Sequence, residues 1–269
     1  MMNMSDAQLI ADAIESSTEL LVVTGAGISL ASGIPTFRGT DPDAVWAKDV
    51  TELGTFGYFR ADPVGSWQWY MKRFDGVVGA KPNAAHLALV DLERWQEIRG
   101  GFLLVTQNID VLHRRAGSRE LVEVHGRADR VRCATYGCDL GAPRGSLPRD
   151  EVDMQPFIDA PRLDTVPRCP ACQGLLRQHV LWFDEVYDGH ADYQWERVQR
   201  AAMAADLVLF VGTSLAVGVT ELFLQAAAHR GKPVILVDPA ATDSGTGRTE
   251  VIAAKAEEIL PEVSRILTT

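Results

Sequence analysis

The run Leu20-Leu21-Val22-Val23-Thr24-Gly25-Ala26-Gly27-Ile28-Ser29, continued by Ser32-Gly33-Ile34-Pro35-Thr36-Phe37-Arg38, joins a short apolar segment to a glycine-rich turn. Leu20 to Thr24 has no alternating polar face, which suits a strand buried on both sides. Glycines at its carboxyl end let the backbone approach a pyrophosphate, which then faces free N–H groups and the positive end of the next helix. A Gly-x-Gly pair on its own is as often an ordinary turn, so the weight of the reading falls on the rest of the chain.

That remainder alternates. Continuous apolar runs recur at Phe102–Thr106, Leu121–Val124, Asp206–Val211 and Pro233–Val237, each rich in β-branched residues or leucine and bounded by Gly, Asn, Asp or Pro. Helical spacing lies between them, over Asp6–Ser16, from Pro82 to about Trp95, over Glu221–His229 and over Ala253–Leu267 with a kink expected at Pro261. The pattern predicts an α/β fold with a Rossmann-like, doubly wound parallel sheet. Two stretches break the rhythm, Gly39–Lys81 with its aromatics and Arg127–Arg177 with all four cysteines, and both read as insertions. The division expected is a dinucleotide-binding domain of residues 1–40, 84–126 and 178–269, a helical insertion at 41–83 and a small zinc-binding lobe, ribbon-like, at 127–177.

At 269 residues and 46% apolar content the chain is long enough for one large domain with an appendage, burying roughly 70–75% of its unfolded surface. A formal net charge of −10 disfavours non-specific attraction to nucleic acid or anionic lipid. No apolar run approaches a membrane span, and the first residues are acidic where a secretion signal is basic, so a cytoplasmic protein, a monomer, is expected.

Cys133 and Cys138 are separated by four residues, Cys169 and Cys172 by two, with thirty residues between the pairs. Two short-spaced pairs suit tetrahedral Zn²⁺ held from two loop knuckles, and they use every cysteine in the chain. Two disulfides or four free thiols are the alternatives, and a reducing cytoplasm opposes the former. Four thiolates leave no position for water, so one structural zinc is expected.

Polar clusters follow the remaining apolar runs. Thr106-Gln107-Asn108-Ile109-Asp110 offers amide and carboxylate groups suited to a carboxamide, and His125, before Gly126, brings an imidazole to the same edge, a base suited to a ribose hydroxyl. Gly212-Thr213-Ser214 supplies donors for phosphate or ribose, and Asp238 ends the next run where an acid can accept from ribose hydroxyls. Taken together with Gly33–Arg38, Val124-His125-Gly126, the cysteine pairs and Trp182-Phe183, these segments resemble the sirtuin (Sir2) family of NAD-dependent protein-lysine deacylases, in family order from residue 24 to 214.

The resemblance implies NAD⁺ as co-substrate, held by Gly25, Ala26, Gly27, Ile28, Ser29, Phe37, Arg38, Gln107, Asn108, Ile109, Asp110, Gly212, Thr213, Ser214 and Asp238, and an acylated-lysine protein or peptide as partner. It implies that the acyl oxygen attacks C1′ of the nicotinamide ribose as nicotinamide leaves, and that His125 then activates the ribose hydroxyls so that the acyl group migrates and lysine departs. Phe37 would shield the cationic centre, Arg38 would fix the cofactor loop, and Gln107 would meet the nicotinamide ribose. Tyr70 and Arg73, three apart on an expected helix, form a Tyr-x-x-Arg pair similar to that of desuccinylase-type sirtuins, with Gly54 as the small residue of a roomy acyl pocket and Trp182 and Phe183 beside the substrate.

Two positions depart from the family pattern. Asp184 stands where a glycine is usual, a side chain able to alter the peptide register or repel acidic sequences, and no proline follows Ser214. Other classes compatible with parts of the sequence are an NAD hydrolase or mono-ADP-ribosyltransferase on the same site, a non-enzymatic zinc module, and a Rossmann dehydrogenase. A dehydrogenase leaves the cysteine lobe unexplained, and a zinc module leaves the polar strand ends unexplained.

Overall fold

The computed structural model describes residues 5–35, 49–215, 218–241 and 249–269, without the side chains of residues 49, 50, 73–75 and 78. In chain order the elements are α1 (Asp6–Glu15), β1 (Glu19–Thr24), α2 (Asp49–Leu53), α3 (Phe56–Ala61), α4 (Pro63–Val78), α5 (Ala84–Glu97), β2 (Gly101–Thr106), α6 (Leu112–Ala116), β3 (Leu121–Glu123), β4 (Gly126–Cys133), β5 (Leu147–Pro148), α7 (Gln155–Asp159), β6 (Leu176–Val180), α8 (Trp195–Ala204), β7 (Leu207–Val211), α9 (Gly218–Arg230), β8 (Val234–Val237), β9 (Thr249–Ile252) and α10 (Ala256–Thr268).

Six strands form one sheet in the order β3-β2-β1-β7-β8-β9, every neighbouring pair parallel. The period-2 geometry of a strand splits each apolar run between two cores. Leu20, Val22, Leu104, Leu209 and Ile235 join α1, α5 and α10 on one side, while Leu21, Val23, Val105, Phe210 and Leu236 join α8 and α9 on the other. Both faces are covered, so the runs carry no polar residue to mark an exposed side. The chain builds outward from β1 to β3, then restarts beside β1 at β7 and builds the other way. A crevice therefore opens at the carboxyl ends of β1 and β7, the place where such sheets bind ligands.

Helix starts follow local capping. Ser5 caps α1 by accepting from the Gln8 N–H, and α5 begins two residues after the expected Pro82 because Asn83 is its cap, accepting from the Ala85 N–H. The amide of Asn83 also donates to Ile28 O at 2.7 Å and Ser32 Oγ at 3.0 Å, which ties the start of α5 to the glycine-rich segment. α10 remains one helix across Pro261.

The two stretches that broke the sequence rhythm share a single core. Phe59, Trp67 and Tyr70 from α3 and α4 pack with Val131, Leu147, Phe157, Val166, Leu176 and Trp182 around the antiparallel sheet β5-β4-β6. Trp67 Nε1 donates to the Leu176 carbonyl across this core at 2.9 Å. No helix among the described residues is long and apolar enough to cross a membrane.

Candidate active site

Gly25 and Gly27 follow β1, and a short 3-10 helix spans Ala26–Ser32. Their lack of a side chain is required by another loop. A Cβ on Gly25 would stand 2.7 Å from Gly212 O, and one on Gly27 2.7 Å from Gly212 Cα. Gly212 itself has φ +59°, a conformation that favours glycine. Hydrogen bonds lock the approach: Gly25 N–H donates to Val211 O and Gly27 N–H to Gly212 O. The sequence expectation of free N–H groups across this turn is thus corrected at these two residues, whose donors are spent inside the protein. Thr36, Phe37 and Arg38 lie outside the described residues.

The segment after β2 converges on the same turn. Asn108 Nδ2 donates to Gly25 O at 3.0 Å and Ser29 Oγ at 3.2 Å, Ser29 Oγ donates to Asp110 Oδ2 at 2.7 Å, and Leu112 N–H donates to Asp110 Oδ1 at 2.9 Å. Gln107 Nε2 reaches Thr213 Oγ1 at 3.1 Å, joining β2 to the loop after β7. Burial raises the Asp110 carboxyl, and its two hydrogen bonds and Arg115 offset only part of that. Val111 is held at φ +60°, an outlier for a β-branched residue, at a cost of about 1–3 kcal/mol that the surrounding network sustains. One acceptor is left over: Asn108 Oδ1 is buried with no hydrogen-bond partner among the described residues. Such an orphan fits an amide N–H donor from a ligand, in keeping with the carboxamide of NAD⁺.

His125 follows β3 and is half-buried. Its Nδ1 lies 2.9 Å from the Gln107 carbonyl oxygen and its Nε2 3.3 Å from Tyr187 Oη. Burial pushes the imidazole down to about 4, against the opposing pull of the Gln107 carbonyl, so at neutral pH it is an uncharged base. Ser214 is exposed in the loop after β7, and Asp238 follows the neighbouring strand β8, with Oδ1 accepting from the Ala240 N–H. Ile109 packs against the small-lobe core, and its carbonyl accepts from Ala128 N–H.

Tyr70 lies on α4 as expected, buried, with Oη accepting from Trp182 Nε1 at 2.5 Å. Arg73 is one turn further along the same helix, but its side chain lies outside the described residues. Trp182 is buried and Phe183 exposed. Asp184 is turned toward the start of α3. Its carboxylate accepts from Phe56 N–H at 2.7 Å and Gly57 N–H at 3.0 Å, capping α3. No residue spacing marks this cap, nor the buried ion cluster beside it, where Glu185 accepts from Arg132 at 2.8 Å and Arg177 at 2.6 Å. Burial would raise Glu185, but the two guanidinium groups hold it below the usual carboxylate range. Arg177 also stacks 3.2 Å above the centre of the Trp182 ring, which fixes the indole from its other face.

The four cysteines are unbonded thiols whose sulfurs all lie within 4.8 Å of one another, Cys133 to Cys172 at 3.4 Å and Cys138 to Cys169 at 3.7 Å. A tetrahedron with Zn–S bonds of about 2.3 Å has edges of about 3.8 Å, so the set fits a structural zinc. His179, His190 and Asp192 form a second close group. There both nitrogens of His190 are already engaged, with the Asp192 N–H and the Gly145 carbonyl, and the group serves packing between β6 and the following loop.

The family model described as the Sir2 family matches residues 25–219, a span that carries the strand ends after β1, β2, β3 and β7 but not Asp238 after β8. This chain belongs to the Sir2 family. Among curated Sir2 relatives, an NAD-dependent protein deacylase of Thermus thermophilus is 41% identical over 85% of this chain and 82% of its own. An NAD-dependent protein deacylase 2 of Pyrobaculum aerophilum is 37% identical over 97% of each. Among solved structures, a Sir2 homolog–NAD complex has a TM-score of 0.79 at 32% identity, covering 100% of this chain and 94% of that one. A Sir2–p53 peptide–NAD⁺ complex has a TM-score of 0.78 at 25% identity, covering 97% and 98%.

Proposed function

We propose that the chain is an NAD-dependent protein-lysine deacylase that yields nicotinamide, a 2′-O-acyl-ADP-ribose and free lysine. The observation that carries this reading is the pairing of a receptor with a base: the orphaned buried Oδ1 of Asn108 is one residue from Gln107, whose carbonyl orients the neutral His125. NAD⁺, when bound, supplies the electrophilic C1′ of its nicotinamide ribose and is consumed.

The protein's own groups divide the remaining work. Asn108, Ile109 and Asp110 receive the carboxamide and Gln107 the adjoining ribose. Ala26, Ile28 and Ser29 with Gly25 and Gly27 line the phosphate path, continued by Gly212, Thr213 and Ser214 to Asp238 at the adenosine ribose. In this reading Phe37 shields the cationic centre from water and Arg38 helps fix the cofactor loop. His125 removes a proton from a ribose hydroxyl at Nε2, the nitrogen left with a lone pair when Nδ1–H donates to Gln107 O. Residues 1–40, 84–126 and 178–269 thereby hold the cofactor, 41–83 shape the acyl pocket, and 127–177 are organised by zinc. The substrates are acyl-lysine segments of soluble proteins, met by a cytoplasmic monomer.

Tyr70, Arg73, Trp182 and Phe183 form the acyl-lysine channel in this reading, and Arg73 offers a forked cation to the distal carboxylate of a succinyl or related acidic acyl group. Incubation with NAD⁺ and acetyl-, succinyl- and long-chain acyl-lysine peptides, followed by mass spectrometry, tests both levels. Deacylation coupled to nicotinamide release is expected, whereas nicotinamide release indifferent to peptide would mark an NAD hydrolase. Arg73→Met should cost succinyl-lysine roughly 2–4 kcal/mol in kcat/KM, about 30- to 1000-fold, and leave acetyl-lysine little changed. Equal losses on both substrates would remove the acidic-acyl preference.

A further inference from the structure

Tyr187 belongs to none of the segments that carry the family resemblance, yet its hydroxyl is the group that meets the catalytic nitrogen. Oη stands 3.3 Å from His125 Nε2, and the two rings lie 5.8 Å apart at 26°. The direction of the hydrogen bond follows from the other side of the imidazole. A carbonyl oxygen can only accept, so the 2.9 Å contact with Gln107 O places the ring proton on Nδ1 and a lone pair on Nε2. The Tyr187 O–H is then the donor to that lone pair.

The phenol is itself held in place. Its ring stacks on Trp195, the first residue of α8, at 4.5 Å and 15°. Its oxygen receives the backbone N–H of Val219 in the first turn of α9. Burial raises the phenol above its ordinary range, so it remains a protonated donor at neutral pH. Two helices therefore fix the hydroxyl that fixes the base.

We propose that Tyr187 is a positioning residue for His125: its O–H holds the imidazole plane through the Nε2 lone pair, yields that lone pair to the ribose hydroxyl when it arrives, and its oxygen then accepts from the Nε2–H once the imidazole is protonated. The bookkeeping is one proton: it leaves the ribose hydroxyl as that oxygen bonds to the acyl carbon, bonds to Nε2, and passes to the lysine nitrogen as the bond from that nitrogen to the acyl carbon breaks, while the phenol keeps its own. This inference rests on the deacylase reading. It implies that Tyr187 matters for the half of the reaction that needs a base and not for the departure of nicotinamide, which needs none.

Tyr187→Phe preserves the stack on Trp195 and deletes only the hydroxyl. Deacylation should slow about tenfold or more in kcat with KM for NAD⁺ nearly unchanged, while peptide-dependent exchange of labelled nicotinamide into NAD⁺ continues at or above the wild-type rate. Parallel loss of exchange and deacylation, or no loss of either, overturns the proposal. A measurement on the unaltered protein covers the case in which the variant fails to fold. In ¹⁵N-histidine spectra at neutral pH, His125 should be the Nδ1–H tautomer with Nε2 accepting a hydrogen bond, and an Nε2–H tautomer overturns the contact. His125→Ala serves as the control: exchange without deacylation supports the underlying reading, and if the wild-type protein processes no acyl-lysine peptide, that reading fails while the tautomer still decides the Tyr187 contact.

Discussion

His125 has its ring axis set by one hydrogen bond and its charge state by burial, and the second of these has a measurable consequence. An imidazole pushed down to about 4 is uncharged, and so competent as a base, well below the ordinary value of 6.5. Lowering the pH protonates it only near the shifted value. kcat/KM, which reports groups of the free enzyme, should therefore stay level from about pH 8 to about pH 6 as far as this residue is concerned. A fall with a midpoint near 6.5 would show that solvent reaches the ring more freely than its packing indicates. At this scale the sequence was informative wherever a residue follows a buried strand: Asn108 and Asp110 meet at Ser29, and Gln107 contacts both His125 and Thr213. It was silent on Tyr187, because a single aromatic in a turn-rich stretch carries no spacing signal, and its role depends on α8 and α9 arriving from later in the chain.

Elements are held in register by side chains from distant sequence. Asp184 donates no chemistry to the crevice, yet it accepts the first two N–H groups of α3, where a negative charge also meets the positive end of the helix. Asp184→Ala should cost about 0.5–2 kcal/mol of stability, read as a lowered midpoint in urea, with Asp184→Asn intermediate. An unchanged midpoint would mean that α3 is held by its packing alone. The apolar strands were legible because burial on both faces imposes uninterrupted Leu and Val, and helix α9 and helix α10 followed from spacing. β9 was not, since Thr249-Glu250-Val251-Ile252 lies at the sheet edge with exposed or half-exposed positions. β4 and β6 were hidden for another reason: their pairing shifts register between Gly126 and Val131, and Arg132 and Arg177 on them are buried polar residues, both paired with Glu185 and hydrogen-bonded further to Tyr193 and to the Gln178 and Val180 carbonyls.

For the molecule as a whole, the proposed cofactor site lies at the parallel sheet and the proposed substrate side at the second core. Because α3, α4 and the cysteine sheet bury one common set of side chains, the zinc site supports Trp182 and Tyr70 at a distance. Cys133→Ser or Cys169→Ser should release zinc, lower the thermal midpoint and weaken acyl-peptide binding more than NAD⁺ binding. Anaerobically purified protein without stoichiometric zinc would refute the cluster. The central claim, that this chain deacylates lysine through His125, is tested most directly by mass spectrometry of one reaction, NAD⁺ with an acyl-lysine peptide, run with the wild-type protein and with His125→Ala. The wild type should form free lysine, nicotinamide and acyl-ADP-ribose in equal amounts, and His125→Ala should form them slower by about 10²–10⁴-fold while still binding NAD⁺. Undiminished product from His125→Ala, or nicotinamide formed by the wild type without loss of the acyl group, would contradict it.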